Sequence, residues 1–292
     1  MSTTPATPFT TLISAAQLQQ LIQRGAALGL VDVSFDLADT EAGERAWRAG
    51  HVPSSRYLHL DRDLAGPRTG AHGVFRGRHP LPERDAFAAT LGRCGIGPAT
   101  QVVAFDAQGG MYAARLWWML RWMGHPDVAV LDGGLAAWRE VGGALETTEP
   151  PPIAHATPYP AAPSLGTSID AGALGAQLGR VRLIDARSAE RFRGEVEPLD
   201  AAAGHIPGAL NRCFKDNIDG RGRFKPATQL RAEFEPLLGR QPAAQVVHQC
   251  GSGVTACHNL LAMEHAGLSG SVLYPGSWSE WSADPARPIA KG

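Results

Sequence analysis

The sequence predicts an α/β protein built from two similar halves in tandem, each a mainly parallel sheet with helices on both faces. Three observations lead there. The chain has 292 residues, and at roughly 100–200 residues per domain that length accommodates two domains. Landmarks of the first half recur in the same order in the second, too far apart for a solenoid unit and as expected of a duplicated domain. Leu30-Val31-Asp32 followed by His51-Val52-Pro53 returns as Leu183-Ile184-Asp185 followed by His205-Ile206-Pro207. Val102-Val103 with Asp106 returns as Val246-Val247 with Cys250, and Asp132-Gly133-Gly134 with Trp138 returns as Pro275-Gly276-Ser277 with Trp281. Finally, short β-branched runs alternate with helical patterns, the signature of parallel sheets flanked by helices.

The strands come first in the argument. Residues 30–33, 102–105 and 128–131 in the first half, and 182–185, 246–249 and 271–274 in the second, are short apolar runs that end in turn residues. Such runs fit strands buried on both faces. Helical patterns cover 15–24, 112–123, 227–238 and 255–266. The Pro/Thr/Ala-rich stretch 149–164 carries neither pattern, which gives an N-terminal domain over 1–148, a linker over 149–164 and a C-terminal domain over 165–292.

Composition removes several function classes. Lys plus Arg number 27 against 28 Asp plus Glu, so no broad charge draws the fold to a polyanion, and no nucleic-acid partner is expected. The densest apolar stretch, 116–123, is interrupted by Arg121 and flanked by Arg115. It falls far short of the 18 or so apolar residues a membrane span requires, so no membrane partner is expected. Met1-Ser2-Thr3-Thr4-Pro5 has neither the basic nor the apolar region of a secretory signal, and a cytoplasmic location is expected. Four cysteines (Cys94, Cys213, Cys250, Cys257) are too few for a disulfide scaffold and none pairs as CxxC. One reactive thiol among inert ones is the expectation, with no metal and no nucleotide or flavin cofactor.

Ligands of open α/β sheets bind beyond the carboxyl ends of the strands. After 246–249 comes Cys250-Gly251-Ser252-Gly253-Val254-Thr255-Ala256-Cys257, a Gly-rich loop leading into a helix. Backbone N–H groups can converge in such a loop because glycine tolerates unusual dihedrals, and the positive end of a helix adds to the field. A cysteine so placed is favoured as thiolate, the nucleophilic form. Cys250 is the candidate nucleophile, against the plainer reading of a buried strand-end cysteine. Cys257 falls inside the helix on an apolar stretch with Leu260 and Leu261, and reads as core.

This loop, the trailing Gly276-Ser277-Trp278-Ser279-Glu280-Trp281, the upstream Asp185-Ala186-Arg187 with Arg191-Phe192, and His205-Ile206-Pro207-Gly208-Ala209 together resemble the tandem rhodanese-type sulfurtransferases. The likeness extends over nearly the whole chain. It implies two rhodanese-like domains of which only the C-terminal one carries the catalytic cysteine; Asp106 holds the equivalent place in the first half and cannot carry sulfur. It also implies that sulfane sulfur passes from a small-molecule donor to Cys250 as a persulfide, then to a thiol or cyanide, with a thioredoxin-like reductant as a further partner. Covalent catalysis of this kind needs an activated thiolate, a cradle for charge and a cation for the donor. By motif position Arg191 holds the donor's anionic group, Gly251, Gly253, Val254 and Thr255 bind substrate, and Arg187 forms a structural ion pair near Asp185.

In mercaptopyruvate sulfurtransferases, members of this family, the resemblance implies a proton relay through Ser252, His79 and Asp61, although the stretch between Asp61 and His79 is longer here than in the family pattern. The alternative is that His79 only packs between domains. His51 and His205 occur in paired motifs of a protein with one active site, so both read as structural turns. For the donor, Gly251 and Ser252 replace the Arg and Lys of thiosulfate-preferring members, which favours 3-mercaptopyruvate. The second arginine that clamps the keto-acid after a Glu-Pro is expected to be missing, since Leu199 and Asp200 follow Glu197-Pro198, leaving Arg193 or Arg212 as substitutes and thiosulfate as the alternative donor. Segment 107–111 does not repeat the Gly-Ser-Gly sequence, so no cradle is expected after Asp106. A dual-specificity phosphatase would need an arginine near Ala256, and a non-catalytic binding module commonly lacks the cysteine that is present here.

Overall fold

The computed structural model describes residues 7–292; the N-terminal reading of residues 1–5 lies outside them. The first half runs β1 (Leu12–Ile13), α1 (Ala15–Gln23), β2 (Leu28–Asp32), α2 (Ala42–Ala49), β3 (Arg56–Tyr57), α3 (Leu60–Asp63), α4 (Arg84–Arg93), β4 (Gln101–Phe105), α5 (Ala113–Trp122), β5 (Val128–Leu131) and α6 (Gly134–Glu140). The second runs β6 (Thr167–Ser168), α7 (Ala171–Gln177), β7 (Arg182–Asp185), α8 (Ala189–Arg193), β8 (Leu210–Asn211), α9 (Ala227–Leu238), β9 (Val246–Gln249), α10 (Ala256–His265), β10 (Val272–Leu273) and α11 (Ser277–Ala283).

Among the described residues the strands form two parallel five-stranded sheets, ordered β1-β5-β4-β2-β3 and β6-β10-β9-β7-β8. Advancing every label by five turns one order into the other, as a duplication requires. Register is equivalent too: Asp32 lies opposite Phe105, and Asp185 opposite Gln249. The sequence reading finds the long central strands and overlooks the edge strands β1, β3, β6 and β8, whose two residues each are too few to show a period. Helix starts follow local chemistry. Ser14 and Gln17 form a capping box on α1, and the Asp170 carboxylate accepts the Ala173 N–H of α7 at 2.8 Å.

Three apolar clusters organise the packing. Two lie on the outer sheet faces, one around Leu18, Val103 and Trp138 and one around Leu174, Val247 and Trp278. The third is shared: Leu116, Met119 and Leu120 of α5 and Cys257, Leu260 and Leu261 of α10 belong to one buried cluster. This explains why α5 is apolar nearly all round, with Ala113 to Leu120 buried, since it lies between its own sheet and the other half. The stretch 141–166 has no helix or strand, yet Tyr159 is buried, with its N–H on Ala88 O and its hydroxyl on His125 Nδ1.

Candidate active site

Cys250 follows the central strand β9, at the strand ends where the two halves meet. The start of α11 pins its backbone: Cys250 N donates to Ser277 Oγ at 3.1 Å, Trp278 N to Cys250 O at 3.0 Å, and Ser279 N to Gly251 O at 2.9 Å. Ser277 has φ +54°, as does Gly134 at the matching place in the first half. A serine there carries backbone strain. It is held because its hydroxyl accepts from Cys250 and donates to Tyr274 O at 2.9 Å. Cys250, Gly251, Ser252, Val254 and Thr255 line a cavity of about 250 Å3. Gly253 is not among the lining residues. At φ +76°, with Pro275 O 2.2 Å from where a Cβ would stand, it is required by the turn. Cys257 is core as expected, its thiol on Gly253 O at 3.4 Å and pushed up to about 12 by burial.

The first half reaches into this cavity with His79. His79 Nδ1 lies 2.8 Å from Ser252 Oγ, and Nε2 lies 3.2 Å from Asp61 Oδ1. The Nε2–H directed at the carboxylate leaves Nδ1 free to accept the serine O–H. Burial holds His79 below the ordinary imidazole range although Asp61 acts the other way, and the hydrogen bond from His79 holds Asp61 below the ordinary carboxylate range. A neutral imidazole beside a carboxylate is thus set to take a proton from the serine. The longer stretch between Asp61 and His79 does not disturb this, because it folds out as a hairpin. Arg76 N bonds Arg68 O and Gly66 N bonds Pro80 O, which closes the loop at its base and returns His79 to Asp61.

The cations differ from expectation. Arg191 lines the cavity, bonding Glu197 at 2.6 Å and Asp200 at 3.1 Å. Arg187 is buried on Asp185 at 2.7 Å and Glu197 at 3.2 Å, as a structural ion pair should be. Arg193 and Arg212 do not substitute for a clamp: they pair with Glu195 and Glu233, and neither lines the cavity. Besides Arg191 and the ion-paired Arg187, the cavity is lined by the guanidinium of Arg78, which precedes His79 and pairs with Asp200 from the other half. Sequence reasoning missed it because the partner lies on a different domain. A Cβ on Gly251 would stand 2.8 Å from Arg78 Nη2 and 3.4 Å from Arg191 Nη1, so the loop is neutral where two outside arginines occupy the space. Cys213, Phe214 and Lys215 complete one wall, and Leu37, Met111 and Leu199 another.

The first-half loop holds a further correction. It does form a cradle, and Asp106 fills it: Oδ1 accepts from Gln108 N and Gly110 N, and Oδ2 from Tyr112 N and Ala113 N, all at 2.8–2.9 Å. His51 and His205 are structural as read, each holding a backbone carbonyl through Nδ1 (Trp47 at 2.9 Å, Phe192 at 2.8 Å) and each stacked on the ring of that same residue.

Comparison with known proteins agrees with this architecture. The model of the Rhodanese-like domain matches residues 14–141 and 170–284. The chain is 45% identical over 289 residues to a Pseudomonas aeruginosa protein named "Probable 3-mercaptopyruvate sulfurtransferase", covering 96% of this chain and 100% of that one. It is 39% identical over 287 residues to a Mycobacterium tuberculosis protein named "Putative thiosulfate sulfurtransferase SseB", covering 96% and 97%. The solved 3-mercaptopyruvate sulfurtransferase from Leishmania major superposes with a TM-score of 0.81 at 28% identity, over 96% of this chain and 76% of that one. Two matches to the Rhodanese-like domain, one over each half and together spanning most of the chain, and relatives of 45% and 39% identity over 96% of it fit the two parallel sheets of one topology, and the chain belongs to the family of proteins with tandem rhodanese-like domains.

Proposed function

We propose that the protein is a sulfurtransferase that takes sulfur from 3-mercaptopyruvate onto Cys250 and passes it from the persulfide to a thiol or cyanide. The observation that carries the choice of donor is the Ser252–His79–Asp61 chain. Cys250 thiolate attacks the donor sulfur; an S–S bond forms, the C–S bond breaks, and its electron pair goes to carbon as the enolate of pyruvate. That carbon needs a proton. Ser252 gives its hydroxyl proton to the carbon and regains one from the donor S–H, with His79 buffering the exchange and Asp61 fixing the tautomer. Thiolate plus mercaptopyruvate thus becomes anionic persulfide plus pyruvate, with atoms and charge conserved. Thiosulfate would instead release sulfite and need no proton at carbon.

Arg78 and Arg191 line the cavity with Cys250, which supports them as partners of the donor carboxylate, and Gly251, Ser252, Val254 and Thr255 of the same loop line it where charge would build on sulfur. A cytoplasmic thiol, small or on a thioredoxin-like protein, then attacks the outer sulfur and restores the Cys250 thiolate. Among the described residues no cluster of His, Cys, Asp and Glu could hold a metal, and no helix is long and apolar enough to cross a membrane. The test is a pair of steady-state assays, with 3-mercaptopyruvate and with thiosulfate, against one thiol acceptor. Higher efficiency with mercaptopyruvate, lost in Ser252→Ala, is expected. Higher efficiency with thiosulfate, unmoved by that change, would make the protein a thiosulfate sulfurtransferase.

A further inference from the structure

Arg115 of α5 is wholly buried, and no carboxylate is among the groups that act on it. Its Nη1 donates to Gly253 O at 3.1 Å, and its Nη2 to His79 O at 3.1 Å and Leu64 O at 3.3 Å, while Nε is buried without a partner. The three carbonyls have something in common. Gly253 belongs to the loop that bears Cys250 and Ser252, His79 is the relay imidazole, and Leu64 closes the helix that bears Asp61. One guanidinium therefore ties together the three segments whose side chains meet at the cavity.

A neutral donor could bind three carbonyls without the cost of desolvating a charge, so an unpaired buried cation calls for an anion. Burial pulls Arg115 below the ordinary guanidinium range, and the thiols of Cys257 and Cys250 act in the opposite sense. Burial keeps Cys257 neutral. Of the other cations that line the cavity with Cys250, Arg78, Arg187 and Arg191 are paired with Asp200, Asp185 and Glu197, and Lys215 is exposed to solvent. We propose that Arg115 is a positioning residue of the sulfur-transfer site and the buried counter-charge for the anion carried on Cys250. The fork shape suits it, since lysine has the charge but cannot span three fixed acceptors.

The inference rests on the persulfide reading but is tested apart from it, because alkylation of Cys250 needs no sulfur donor. Arg115→Met and Arg115→Lys are compared with the unaltered protein for Cys250 alkylation by iodoacetamide at pH 7, followed by intact mass, and for steady-state sulfur transfer. Near-UV circular dichroism reports folding. The Met variant is expected to alkylate on the order of tenfold more slowly or worse, the effect of removing a nearby buried cation from a thiolate, with kcat lowered and donor KM little changed. The Lys variant should keep the alkylation rate within about threefold yet lose kcat on the order of tenfold, because its carbonyl ties are gone. A folded Met variant that alkylates at the original rate overturns the counter-charge. If that variant does not fold, a tenfold slower Lys variant overturns it instead. A Lys variant with unaltered kcat overturns the positioning role. Rapid alkylation of Cys250 in a protein that accepts no sulfur would defeat the proposed function and leave this inference standing.

Discussion

Arg78 and Arg191 come from opposite halves of the chain and share one carboxylate: Asp200 Oδ2 accepts from Arg191 at 3.1 Å, while its Oδ1 accepts from Arg78. A buried acid between two guanidinium groups holds both in place before a donor arrives, so binding the donor carboxylate costs little further ordering.

Arg78→Ala and Arg191→Ala should therefore each lower donor kcat/KM, chiefly through KM. Loss of a charge-assisted contact of about 1.5–3 kcal/mol corresponds to roughly ten- to a hundredfold. Steady-state kinetics over a range of donor concentration checks this; an unchanged KM in Arg78→Ala would remove Arg78 from the donor site.

His79→Asn should cut kcat with 3-mercaptopyruvate by on the order of a hundredfold, the usual worth of a positioned proton-transfer group. Because burial holds His79 below its ordinary value of 6.5, the neutral form persists on the acid side of that value. Activity should stay level down through pH 6.5 and fall only below it, and the pH profile of kcat measures where.

Intact mass after exposure to donor should show one added sulfur per chain, absent in Cys250→Ser and present in Cys257→Ser, which keeps most of its turnover. Asp106→Cys should add no second sulfur, and two per chain would refute that. The reason is structural: four N–H groups close on the Asp106 carboxylate, and a thiol is a poor substitute. Asp106→Ala leaves those donors unpaired and should destabilise the fold by about 3 kcal/mol in urea unfolding.

Arg187→Ala should chiefly affect folding. It strands the buried Asp185 and takes from Glu197 one of its two guanidinium partners, and breaking one partner of a buried pair costs about 3–5 kcal/mol. Soluble yield and urea midpoint report this.

Stability should fall in mild acid. His248 is held at about 3 and His258 at about 4, each by burial, against 6.5 when unfolded. Between the folded and unfolded values the unfolded chain binds more protons, so stability is full above about 6.5 and declines as pH falls toward 4. Asp32, raised to about 6 by burial, acts in the opposite sense over part of that window. From pH 7 to pH 5 each such histidine should contribute a loss of about 1–2 kcal/mol. His258→Gln should flatten the pH dependence of the urea midpoint; an unaltered slope would show that His258 does not titrate on unfolding.

By itself the sequence determined the duplicated α/β architecture and the central strands and singled out the cysteine proposed as nucleophile, because these rest on local signals: apolar runs buried on both faces, a cysteine at a strand end and glycines just after it. It also marked Ser252, His79 and Asp61 through motif position, and the single ion pair of Asp185 and Arg187, two residues apart. Only the tertiary structure decided what crosses the halves. Arg78 is held at the cavity by Asp200 of the other half, Arg115 joins three segments from a helix that reads simply as apolar, and Asp106 occupies its own cradle. Gly253 must be glycine because Pro275 stands where a side chain would go. Pattern along the chain reports which residues are buried, through the period of strand and helix, but a buried cation takes its partners from wherever packing brings a carbonyl or a carboxylate. Here those partners lie up to 138 residues away, on the other domain.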